Sequence, residues 1–212
     1  MATTEIRITG FGGQGVILCG YIIGKGASIF SDQHATLTQS FGPEARGSAC
    51  SAQVVVSDER VLYPYVTCPD ILIALSNDGY TTHKDNLAED AVIIYEKDLV
   101  KLEKHGPKVK AYGIPATRFA EELGRKIVLN IVMLGCFGAV TNLIPGDALR
   151  QAVESVVGIF SSLEDRRGED GFKGLFHVFS PQRGKLRNSF IFVSVVHSVF
   201  NFANSLSWFG WP

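Results

Sequence analysis

The spacing of apolar positions changes along the chain, and each change marks an element. Ile6 and Ile8 alternate with polar neighbours and end at Gly10, which predicts a short first strand. After Gly12-Gly13-Gln14-Gly15 the period becomes helical. Val16, Cys19, Gly20, Ile23 and Ala27 share one face of a helix reaching about residue 29. Glycine costs a helix interior about 1 kcal/mol. Gly20 and Gly24, four apart, therefore predict a small face lying close against a sheet.

Residues 34–38 predict a second strand, and 49–57 a third with Val54-Val55-Val56 at its centre. Ile71-Leu72-Ile73-Ala74-Leu75 and the run 91–95 are continuously apolar, as in strands covered on both faces. Residues 109–112 predict one more strand, and 78–90 carry a weak helical pattern. Pro115 opens a helix that Gly124 closes. Residues 127–140 form an uncharged run too short to cross a bilayer, which reads as a central buried helix. Pro145 opens a further helix with Leu149, Ala152 and Val153 turned inward.

Strands alternating with helices predict an α/β fold. It is a Rossmann-like three-layer domain with a mainly parallel sheet, spanning residues 1–157. There is no internal repeat. Residues 158–212 depart from this pattern. First comes a stretch rich in glycine and charge, then 188–212, which holds no Asp, Glu, Lys or Arg but includes Phe190, Phe192, Phe200, Phe202, Trp208 and Trp211. Three readings stand for this atypical aromatic-rich tail: packing on the domain or a partner, lying at a membrane surface, or being foreign to the fold. Its interleaved Ser and Asn residues argue against insertion.

Composition narrows the function classes. The 212 residues are 46% hydrophobic and 19% charged, which suits a globular chain and not a disordered one. A net charge of −1 provides no basic field for nucleic acid. Cys19, Cys50, Cys68 and Cys136 show no C-x-x-C spacing, so neither a metal nor an iron–sulfur cluster is expected on this chain. The expectation is free, buried thiols in a reducing compartment. Residues 1–9 lack the apolar core of a signal peptide, which points to the cytoplasm.

Two motifs carry candidate chemistry. Gly10-Phe11-Gly12-Gly13-Gln14-Gly15 matches G-x-G-x-x-G between a strand and a helix, where backbone N–H groups and the helix N-terminus form an anion site. A glycine turn needed only for strand–helix packing is the alternative. A dinucleotide site also expects a carboxylate ending the second strand. That strand ends in Leu37-Thr38-Gln39-Ser40, and Asp32 lies at its other end. A phosphate-bearing ligand fits, and NAD is disfavoured. The second motif is Gly42-Pro43-Glu44-Ala45-Arg46-Gly47. Pro43 stiffens the loop, Gly47 permits close approach, and Arg46 offers a planar fork to a carboxylate or phosphate. A self-contained Glu44–Arg46 pair is the other reading.

With Val55-Val56-Ser57-Asp58-Glu59, Pro69-Asp70-Ile71-Leu72-Ile73-Ala74, Ile114-Pro115-Ala116-Thr117 and Asn130-Ile131-Val132-Met133-Leu134-Gly135, these motifs give a specific resemblance. Over about residues 5–155 the chain resembles the gamma subunit of 2-oxoacid:ferredoxin oxidoreductases, nearest to the 2-oxoglutarate type. The resemblance implies a non-autonomous part of an enzyme. The assembly decarboxylates a 2-oxoacid, passes the acyl group to coenzyme A and sends electrons to ferredoxin. Thiamine diphosphate, Mg and iron–sulfur clusters would belong to the alpha, beta and ferredoxin-like delta subunits, with no cofactor held by this chain alone and no catalytic residue on it. Gly10, Gly12, Gly13, Gln14 and Gly15 would contact coenzyme A, through backbone N–H groups and the Gln14 amide. Pro43, Glu44, Arg46 and Gly47 would face the partner subunits. A free-standing nucleotide-binding oxidoreductase and a purely structural subunit are the rival readings. After Glu154-Ser155 the family's Val-Pro-Lys-like turn and short final helix are missing, as a shift of reading frame would produce.

Overall fold

The computed structural model describes residues 3–42, 47–122 and 129–161. Among the described residues, six strands and five helices follow one another as β1 (Thr3–Phe11), α1 (Val16–Phe30), β2 (His34–Phe41), β3 (Ala49–Ser57), β4 (Ile71–Ala74), α2 (Asn77–His83), β5 (Val92–Glu96), β6 (Lys110–Ile114), α3 (Ala116–Glu122), α4 (Leu129–Thr141) and α5 (Gly146–Ser161). The strands form one mixed sheet in the order β2-β3-β1-β4-β5-β6. β1, β4, β5 and β6 pair in parallel. β3 alone runs against its neighbours, lying between β2 and β1.

The period-two pattern assigns the two faces. Ile6, Ile8, Val54, Ile71, Ile73 and Ile94 pack in one cluster with residues of α1, α3, α4 and α5. Leu72, Ala74 and Ile93 turn the other way, onto Tyr80 of α2 and Val100. β4 and β5 are thus covered on both sides, which is why their sequences are continuous apolar runs. Each full burial of an Ile or Leu contributes about 1.5–3 kcal/mol. The result is the three-layer α/β arrangement.

Local details adjust the expectations. The helix expected over 78–90 stops at His83, with Ser76 as its N-cap accepting from the Gly79 N–H at 3.2 Å. β2 runs on to Phe41 because it pairs residue by residue with β3, from His34↔Ser57 to Phe41↔Cys50. Gly20 does let α1 approach the sheet, since a Cβ there would lie 2.8 Å from Ala52 Cβ. Gly24 does not serve that purpose, because its nearest neighbour would be Val54 at 3.9 Å, an ordinary contact. The tail 158–212 lies outside the described residues, apart from the last turn of α5. Among the described residues no helix is long and apolar enough to cross a membrane.

Candidate functional site

The sheet order creates a crevice. β1 and β4 are parallel neighbours, and the chain leaves them in opposite directions. From β1 it passes through α1 on one face toward β2, and from β4 through α2 on the other face toward β5. In open α/β sheets such a switch point, outside the carboxyl ends of the strands, is where ligands bind. The glycine turn 12–15 lies there.

Its geometry is set by a few bonds. The Gln14 Oε1 accepts from the Phe11 N–H at 2.7 Å, and the Gln14 Nε2 donates to the Leu75 carbonyl at 3.0 Å. The Gln14 amide, expected to reach a ligand, is therefore engaged in bracing the turn against the end of β4. The Gln14 N–H donates to the Phe11 carbonyl at 3.1 Å. Gly13 (φ 102°) and Gly15 (φ 76°) hold the left-handed backbone that makes the bend. A Cβ on Gly13 would meet nothing within 4 Å, so the turn opens outward at that residue. A Cβ on Gly15 would collide with the Asn130 amide.

Gly47, the last residue of the second motif, and Ser48 meet the first motif. The Gly12 N–H donates to the Ser48 carbonyl at 2.9 Å, and the Gly47 N–H donates to the Gly12 carbonyl at 3.3 Å. Phe11 pairs with Ala49 at the end of the β1–β3 ladder, which brings the start of β3 to the crevice. Pro43, Glu44 and Arg46 lie outside the described residues.

The donors left for an anion are a subset of those expected. The Gly12 and Gln14 N–H groups are taken. Those of Gly13, Gly15, Val16 and Ile17 have no partner among the described residues. They fan from the N-terminus of a 15-residue helix, whose dipole amounts to about half a positive charge. Gly15 is the N-cap, with no side-chain cap to compete for these donors. The arrangement can hold a phosphate. It does not extend into a dinucleotide clamp, because the strand beside β1 is the reversed β3 and not β2. A carboxylate ending β2 would stand one strand too far away to serve a ribose.

Other reactive groups lie elsewhere. Cys19 is buried as expected, but Cys50 and Cys136 are half-buried and Cys68 is exposed. Burial pushes the Cys19 and Cys136 thiols up to about 12. Among the described residues no three His, Cys, Asp or Glu side chains gather in a set able to hold a metal ion. The buried Tyr80 hydroxyl bonds the His105 Nε2 at 2.7 Å and accepts from the Glu103 N–H at 3.0 Å. Glu96, fully buried, accepts from the Asp98 N–H at 3.1 Å and the Thr117 N–H at 2.8 Å and so anchors the start of α3. Neither group faces the glycine turn through any of these bonds. Asn130 does meet it, and sequence reasoning assigned it no role. The available signal was an amide inside an uncharged run of buried-helix character.

Comparison with known proteins matches residues 5–160 to the family described as pyruvate ferredoxin/flavodoxin oxidoreductase. The 2-oxoglutarate synthase subunit KorC of Methanocaldococcus jannaschii is 45% identical over 152 residues, covering 70% of this chain and 81% of that protein. KorC of Archaeoglobus fulgidus is 30% identical over 185 residues, 84% of this chain and 95% of that protein. Among solved structures, the keto/oxoacid ferredoxin oxidoreductase gamma subunit of Geobacter sulfurreducens superposes with a TM-score of 0.63 at 28% identity, covering 96% of this chain and 99% of that one. The 2-oxoglutarate:ferredoxin oxidoreductase of Magnetococcus marinus, with 2-oxoglutarate, coenzyme A and succinyl-CoA bound, shares the fold. Its TM-score is 0.67 at 21% identity, covering 97% of this chain and 32% of that one. On the match over residues 5–160 and the identity to these relatives, the chain belongs to the pyruvate ferredoxin/flavodoxin oxidoreductase family.

Proposed function

We propose that this chain is the gamma-type subunit of a 2-oxoglutarate:ferredoxin oxidoreductase, in which it binds coenzyme A by a phosphate and does none of the bond-breaking itself. The carrying observation is the 45% identity to a 2-oxoglutarate synthase subunit over most of both chains. The unpartnered N–H groups of Gly13, Gly15, Val16 and Ile17 supply what a phosphate needs, and Gly10 and Gly12 shape the turn that presents them. Thiamine diphosphate with Mg on the alpha and beta subunits would supply the decarboxylation chemistry, and iron–sulfur clusters would carry electrons toward ferredoxin. Pro43, Glu44, Arg46 and Gly47 are assigned to the seam with the thiamine-bearing subunits. The bond from the Gly47 N–H to the Gly12 carbonyl supports that assignment by setting Gly47 beside the turn. Residues 1–157 form the working domain on this reading, 158–212 stand apart as the tail, and the assembly is cytoplasmic.

The test is anaerobic purification of the complex and viologen reduction with 2-oxoglutarate and coenzyme A, against pyruvate and a branched 2-oxoacid. Preference for 2-oxoglutarate supports the proposal, and preference for another acid corrects the substrate. Gly13→Ala and Gly13→Asp both place an L side chain at φ 102°, which Asp tolerates at least as well as Ala, and they differ in charge. A KM for coenzyme A raised only by Asp supports phosphate binding at the turn. Equal values assign the turn a structural role.

A further inference from the structure

We propose that Asn130 is a positioning residue that aims the phosphate-binding N–H groups from behind the turn. This rests on the reading of the turn as the coenzyme A site. Asn130 is 2% exposed, in the first turn of α4, among the buried Leu129, Val132, Met133 and Leu134. An amide placed in such company costs stability unless it is bonded. Its Nδ2 lies 3.5 Å from the Gly15 carbonyl, which also accepts from the Cys19 N–H at 2.9 Å.

The consequence follows from the planar trans peptide. In the Gly15–Val16 peptide, C=O and N–H point in opposite directions. Fixing the carbonyl toward Asn130 and Cys19 aims the Val16 N–H out of the helix mouth, into the crevice. A donor on the carbonyl also polarises the peptide and strengthens that N–H as a donor. Gly15 has room for this only because it lacks a Cβ, which would occupy the place of the Asn130 amide. Helix α4, 115 residues away in sequence, thereby sets the geometry of the anion site.

The test compares Asn130→Ala and Asn130→Asp with Gly13→Asp and Gly13→Ala, all in the assembled complex. Calorimetry measures the Kd of coenzyme A, and steady-state kinetics measures KM for each substrate. Asn130→Ala is expected to weaken coenzyme A about three- to tenfold, the scale of one lost hydrogen bond, with KM for the 2-oxoacid unchanged. Asn130→Asp keeps the volume but adds negative charge behind the turn, and is expected to weaken coenzyme A further. It also provides the measurement if the alanine variant fails to assemble. Wild-type affinity in both Asn130 variants, with Gly13→Asp impaired, overturns the role of Asn130 and leaves the site standing. An equal loss for coenzyme A and the 2-oxoacid also overturns it, by showing a general structural defect. If Gly13→Asp matches Gly13→Ala, the phosphate site itself falls, and the role of Asn130 with it.

Discussion

The Gln14 Nε2 donates to the Leu75 carbonyl at 3.0 Å, joining the turn that follows β1 to the end of β4, 61 residues away. One side chain thus spans the crevice floor, with its Oε1 bonded to the Phe11 N–H. Gln14→Ala removes both bonds and is expected to destabilise the chain by about 1–3 kcal/mol, at about 0.5–1.5 per bond. Gln14→Glu retains the acceptor for Phe11 but sets a carboxylate oxygen against the Leu75 carbonyl. Its melting temperature is expected to fall at pH 8 and partly recover at pH 5, where a protonated carboxyl can donate. A wild-type melting curve for both variants would remove Gln14 from this role.

Gly79 is fixed by Thr9. A Cβ on Gly79 would collide with Thr9 Oγ1 and come within 2.9 Å of Cγ2, and Thr9 is 3% exposed. Gly79→Ala is expected to cost about 1–3 kcal/mol through overpacking of α2 on β1. The double variant with Thr9→Ala should recover a large part of that loss, because the two sites couple. Denaturant unfolding of the four proteins measures the coupling, and strict additivity would refute the contact.

His83 makes stability depend on pH. Burial first, and then the nearby Arg7 charge, lower its pKa from 6.5 to about 4. Between those values the unfolded chain binds a proton that the folded chain does not. Stability is therefore complete above about pH 6.5 and declines as pH falls toward 4. Discounted for the partial exposure of the ring, the loss is about 1 kcal/mol. Urea unfolding at pH 7.5, 6.0 and 4.5 should show this slope in wild type and a shallower one in His83→Gln. Parallel slopes would mean that other groups carry it.

The four thiols should separate by reactivity. Cys68 is exposed, whereas the Cys19 and Cys136 thiols sit at about 12 through burial. The thiolate is the reacting form. Iodoacetamide at pH 7.5 is expected to label Cys68 first in the isolated native chain and all four sites after unfolding. Peptide mass spectrometry reads the order, and early labelling of Cys19 would contradict its burial.

Much of the fold was legible because its signals are local. Val54-Val55-Val56 and Ile71-Leu72-Ile73 declare strands by composition, and Pro145 sits one residue ahead of α5. Partner choice was not legible. Nothing local in Ala49–Ser57 says that this strand runs antiparallel between β2 and β1, since that depends on pairing across the sheet. The glycine turn was legible as a turn between a strand and a helix, but the use of its donors was not. Ser48, 36 residues on, takes the Gly12 N–H, and that partner is fixed only once the chain has folded. Asn130 was hidden for the same reason, since its contact spans the whole domain.

The reversed β3 has a geometric consequence for any ligand at the turn. It occupies the flank of β1 along which a second parallel strand would otherwise run, so the described residues on that flank offer a ligand no second parallel-strand end to lie across. Coenzyme A held by a phosphate would then act as a tether, its free thiol sweeping a volume set by the pantetheine arm. A tether raises the local concentration of its free end at any point within reach and contributes nothing beyond it. On the proposed reading, the distance from Gly13 to the partner's reaction centre is then a design constraint of the whole assembly. Variants that shift this domain outward would lose turnover without losing affinity.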